Sequence, residues 1–135
     1  MQKCSIFLLV TAFALAHHGD AGRYEDEVMV LSGTVVDLQL VDPHSVIVFD
    51  VTDAGKTVRW QAELNGRAAL SRMGWTRNTL KAGDKIKMTG RRVKSGAPYM
   101  NLTDRANVVL VDSGKEIFKT DNYGTSVRKN PVVVN

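Results

Sequence analysis

Between Val28 and Val111 the chain reads as short strands interrupted once by a helix, and that order leaves few folds open. Val28 to Leu40 is rich in β-branched residues and is broken by Ser32-Gly33. A glycine inside a strand pattern predicts a bulge or bend. Asp42-Pro43-His44 ends the run, because proline has no amide hydrogen and restricts the residue before it. Val46 to Val51 forms a second strand, with Ile47, Phe49 and Val51 on one face. Thr52-Asp53-Ala54-Gly55-Lys56 is a hairpin turn. Thr57 to Glu63 alternates most cleanly, with Val58, Trp60 and Ala62 inward and Arg59, Gln61 and Glu63 outward.

A short helix follows from Asn65 to about Met73, with Asn65 as N-cap, Gly74 just past the end, and Ala69, Leu70 and Met73 as its apolar side. Trp75 and Leu80 are expected to plug one end of the core. Lys85 to Gly90 is the fourth strand, with Ile86 and Met88 inward. Tyr99 to Leu102 is a short pairing segment, and Ala106 to Val111 is the fifth main strand. Three strands, a helix and two strands match an all-β, five-stranded OB-like barrel, with one short helix between strands 3 and 4. The rival is an antiparallel sandwich. The expected boundaries are a barrel over 28–112, a polar arm over 17–27 and a polar tail over 113–135. In that tail, Val132-Val133-Val134 has the composition of a short edge strand.

The first 16 residues read as a secretory signal peptide: Lys3 precedes an apolar run from Ile6 to Leu15, and Ala14-x-Ala16 is a small-residue cleavage pattern. The competing reading is a buried N-terminal helix. The run is shorter than the roughly 20 apolar residues a membrane-spanning helix needs. Removing it from the 135 residues leaves 119, enough for one modest core, and lowers the net charge from +4 to +3. That surplus is too small for a nucleic-acid footprint. Cys4, the one cysteine, leaves with the signal, so the mature chain has neither a disulfide nor a thiol nucleophile. The protein is expected to be exported, periplasmic or secreted.

Several motifs recur together: Ala16-His17-His18, Gly33-Thr34-Val35, Asp42-Pro43-His44, Gly74-Trp75-Thr76 and Leu80-Lys81-Ala82-Gly83-Asp84. The set resembles a family of small exported bacterial proteins of unknown function. That family typically reads A-H-H at the mature start, then G-T-V, N-P-H, G-W-T and L-K-x-G-D. The likeness runs from about His17 to Val111 and implies an exported OB-like domain, not a reaction. The chain departs from the pattern at Asp42, where the family usually has Asn, and at Gly19-Asp20.

The chemistry concentrates on histidine. Cleavage after Ala16 would make His17 the N-terminus, where its amine and its ring Nδ1 close a chelate on one metal. His44 would add a third nitrogen, in a set suited to Cu(II), with His18 as the alternate ring. Asp20 and Asp42 are the carboxylates expected to orient a ring or add an oxygen. The bland reading is that the two leading histidines are merely exposed and that His44 packs beside a proline turn. An enzyme is not expected, because Ser45 and His44 are neighbours whose side chains diverge on a strand. The alternative function is an OB-like module for a peptide, oligosaccharide or extracytoplasmic protein partner, with no metal. Tyr99 would be its exposed aromatic, and Arg91, Arg92 and Lys94 a basic turn meeting an acidic partner. Solvated surface is the plain reading of that turn. Asn101-Leu102-Thr103 fits a glycosylation acceptor by chance.

Overall fold

The computed structural model describes residues 22–125 and the strand Val132–Val134. The expected signal peptide, His17, His18 and Asp20 lie outside the described residues. The elements run β1 (Tyr24–Gln39), β2 (Val46–Asp53), β3 (Lys56–Glu63), α1 (Arg67–Arg72), β4 (Lys85–Val93), β5 (Tyr99–Asn101), β6 (Asn107–Leu110), β7 (Glu116–Lys119) and β8 (Val132–Val134). Antiparallel pairing joins β1 to β2, β2 to β3, β5 to β4 and β4 back to β1, while β3 and β5 pair in parallel. These five strands close a barrel of the OB type, with the short helix between β3 and β4 as the element order predicts.

The interior follows strand alternation. Leu31, Val35, Ile47, Phe49, Ala62, Ile86, Met88 and Met100 are buried in one cluster. Trp75 and Leu80 are buried in the same cluster. Trp75 Nε1 donates to the Ile117 carbonyl at 3.0 Å, and its ring meets Phe118 edge-on at 6.1 Å. Val58 keeps the inward parity of β3 yet is 37% exposed, because it lies at the barrel mouth.

The fifth strand is broken in two. Tyr99–Asn101 bridges β4 to β3 and closes the barrel, a role the sequence pattern gave to Ala106–Val111. Asn107–Leu110 continues along the same edge of β4. Buried Asn101 makes the break: its side-chain oxygen accepts from the amide of Thr103 at 2.8 Å and its hydroxyl at 2.7 Å. That local turn competes with the strand ladder.

Strand β1 begins at Tyr24, four residues before the expected start at Val28, so part of the expected arm is strand. Its register against β4 is irregular between Tyr24 and Val28. The Arg91 guanidinium spans the gap, donating to the carbonyls of Glu25 at 2.7 Å and Tyr24 at 3.3 Å. Likewise, Glu116–Lys119 in the expected polar tail is a strand on β6, held down by buried Phe118. Val132–Val134 pairs in parallel with β1 at Met29–Leu31.

Gly33 is a close approach rather than the bulge itself. A Cβ there would meet the Asp50 carbonyl oxygen at 2.7 Å, and the register slips later, between Val35 and Asp37. The helix is shorter than its pattern predicts, and its N-cap is Gly66, not Asn65. Gly74, in the left-handed conformation at φ +89°, ends it as expected. Leu70 supplies its buried contact, while Met73 is half exposed.

Candidate functional site

The outer face of β2 and β3 carries mostly polar side chains. The register sets Asp37, Val48, Gln61 and Tyr99 side by side across four strands, and Gln39, Val46, Glu63 and Asn101 in the next row. Two loops border this face. Residues 40–45 precede β2, and residues 94–98 precede β5, whose Pro98 carbonyl accepts from the Gln61 amide at 3.1 Å. These are the loops that flank ligand sites in OB barrels.

The first loop is fastened from both ends. Buried Ser45 bonds through its hydroxyl to both backbone groups of Val41, at 3.1 and 3.3 Å. Asp42 Oδ1 accepts from the Ala68 amide at 3.3 Å, and Oδ2 lies 3.8 Å from Arg67 Nε. An N-cap residue without a side chain leaves the first helical amides unsatisfied, and Asp42 answers one of them from another segment. The Asp42 carboxylate is thus turned to α1, not to His44, so it does not orient the ring as the sequence led us to expect. Ser45 is equally committed, its hydroxyl bonded to the Val41 backbone and not to His44.

The carboxylate that faces His44 is Glu63. His44 Nδ1 lies 3.4 Å from Glu63 Oε1, with the histidine side chain 54% exposed and that of Glu63 only 12%. Tyr99 donates its hydroxyl to Glu63 Oε2. Burial pushes the Tyr99 phenol well above its ordinary range, and the bond to Glu63 with its negative charge pushes the same way. Tyr99 therefore stays a neutral donor across the physiological range, half-buried rather than freely exposed. The Arg23 guanidinium stacks over both the Tyr99 ring, at 5.5 Å, and the Tyr24 ring, at 5.4 Å. A continuous line thus runs from His44 through Glu63 and Tyr99 to Arg23, where the chain enters β1.

The arrangement presents one imidazole. Its Nδ1 is on the Glu63 side, which leaves Nε2 on the far side of the ring. Among the described residues no three His, Cys, Asp or Glu side chains gather as a metal site. A metal at His44 would need further ligands from outside them.

The basic turn does not form a single patch. Arg91 is only 20% exposed, and besides the carbonyls of β1 it meets Asp104 Oδ2 at 3.3 Å and Asp26 Oδ1 at 3.6 Å. Arg92, one residue on, points to the other face, with its guanidinium 5.2 Å from the Trp60 ring and a bond to the Gly96 carbonyl. Lys94 is exposed, and its amide donates to the Arg23 carbonyl at 2.9 Å. Asp104 is the hub beside Arg91. Burial alone would raise its carboxyl, but the bonds from Asn122 and Arg105 and the charges of Arg105 and Arg91 together hold it below the ordinary carboxylate range.

A family model matches residues 6–100, which takes in β1 to β4 with His44, Glu63 and Tyr99. The chain belongs to the family of unknown function DUF6152. No curated protein matches it. The DUF6152 match ends inside β5, so the strands from β6 onward lie beyond it. The residues that sequence reasoning missed in this DUF6152 chain are Glu63 and Arg23. Glu63 was visible only as an outward position of β3, and Arg23 as part of a polar arm.

Proposed function

We propose that the protein is an exported, non-enzymatic binding protein that takes up Cu(II) through His44 Nε2 and the mature N-terminal His17. The amine and Nδ1 of His17 would close the chelate, with His18 as the alternate ring. The observation that carries this reading is the line from His44 to Arg23. It supports a chain entry on the same side of the barrel as the outward imidazole. Arg23 stands six positions after His17, an extended reach of about 20 Å. Imidazole and amine nitrogens suit copper, whose affinity tops the divalent series. Glu63 would be the carboxylate that orients the ring.

The test is a Cu(II) titration of four proteins: the chain beginning at His17, the same chain with one glycine added before it, His44→Ala and Glu63→Gln. The glycine and His44→Ala are expected to weaken binding sharply, and Glu63→Gln by roughly 10- to 100-fold. Acidification should weaken all binding, since protons compete for the ligands. Equal affinity with and without the added glycine would rule out the amine.

The row of Asp37, Val48, Gln61 and Tyr99 favours a second reading. It is the surface on which an OB-like module would bind a peptide, an oligosaccharide or an extracytoplasmic protein with no metal. Gln61→Ala, which leaves the His44–Glu63 pair alone, would impair that module and spare copper binding.

A further inference from the structure

Strand β2 pairs with β1 only from Thr34 onward, so the same edge of β1 is left without β2 before that point. Val132–Val134 occupies it in parallel, opposite Met29, Val30 and Leu31. Beside this edge a cleft of about 240 Å³ opens towards the tip of the β2–β3 hairpin, lined largely by Met29, Leu31, Val51, Val58 and Trp60. A second groove of about 520 Å³ shares Met29 and Arg92 with it and continues along Glu25 and Asp26. The charges along the two sequences are complementary. Arg128 and Lys129 stand four and three residues before Val132, while Glu25 and Asp26 stand four and three before Met29. A strand entering in this parallel register would bring a basic pair alongside an acidic one, and opposite charges on paired strands are favourable.

We propose that this β1 edge is a strand-addition site. Its partner is an extended segment from another protein, with a basic pair followed by β-branched residues, and the C-terminal Val132–Val134 is the resident competitor. Main-chain bonds along an exposed edge supply affinity in such recognition, and pockets beside it supply selectivity. Covalent linkage to the same chain raises the effective concentration of the resident, so a partner has to displace it.

The probe is a labelled peptide of residues 128–135. It is titrated into the whole chain, into V132D/V133D/V134D and into the milder Val133→Asp, each first checked for a cooperative thermal transition. The peptide should bind the triple variant roughly tenfold or more tightly than the unaltered chain, with Val133→Asp between them. Adding Glu25→Lys to the triple variant should weaken the peptide and flatten its salt dependence. If the triple variant does not melt cooperatively, the comparison rests on Val133→Asp. Equal affinity for altered and unaltered chains, or no binding to any of them, overturns the proposal.

Discussion

Replacing Asp42 separates two roles that one carboxylate can hold. Asp42→Ala removes the acceptor of the Ala68 amide and leaves the start of a six-residue helix with only the Val41 carbonyl on the Arg67 amide and a Gly66 N-cap that has no side chain to help. Losing a capping side chain costs about 0.5–2 kcal/mol. The 3.3 Å bond is long, and Asp42 is about half exposed, so about 1 kcal/mol is expected, or roughly 4 °C for a domain near 100 residues. Asp42→Asn keeps an oxygen acceptor and loses only the charge opposite Arg67, 3.8 Å away with both side chains open to solvent. Such exposed pairs contribute about 0–1 kcal/mol, so Asn is expected to lose a few tenths. Arg67→Ala should resemble Asn. Urea melts of the three variants, read at constant slope, make the comparison. Equal losses for Ala and Asn would refute the capping argument and assign the effect to charge.

Trp75→Phe keeps the ring that meets Phe118 but loses the donor to the Ile117 carbonyl. A loss of about 1–3 kcal/mol is expected, with faster hydrogen exchange at Glu116–Lys119 before the barrel strands respond; unchanged exchange there would show that Phe118 alone docks β7. Asp104 has a lowered folded-state carboxyl, so its contribution to stability is full above its unfolded value near pH 4 and is lost as pH falls through the folded value. Asp104→Asn should therefore lower stability at pH 7 and leave a shallower decline below about pH 4 in acid-dependent melts; a parallel decline would show that the group is not linked to folding.

The order of elements was legible because each strand carried its own alternation and each turn its own glycine or proline. Features that depend on a distant partner were not. Tyr24 to Glu27 reads as polar arm because the pairing there is irregular and a side chain on β4 repairs it. Residues 113–125 read as tail because a single aromatic, Phe118, does the docking, and its partner Trp75 is far away in sequence. The break at Asn101 looks like a glycosylation triplet until its side chain is seen to bond Thr103. His44 stands out by its chemistry, but its carboxylate is not the adjacent Asp42. Counting from the hairpin would have found Glu63. If Asp53 faces Lys56, then Val46 faces Glu63, and His44 lies just beyond. Sequence proximity suggested Asp42; strand register brings in Glu63.

The two proposed sites share one geometric cause. Strand β1 has 16 residues and β2 has 8, so β2 cannot cover β1 along its length. A closed barrel resolves this by pairing the second part of β1 with β2 and the first part with β4. The overhang then has two consequences. Its start carries Arg23 onto Tyr99, which ties the entering chain to the face where Glu63 and His44 stand. Its uncovered edge at Met29–Leu31 is where β8 adds a strand. Barrel closure removes free edges, and a strand that outruns its neighbour restores one. In this fold the excess length of β1 is thus what leaves an edge for β8 to join.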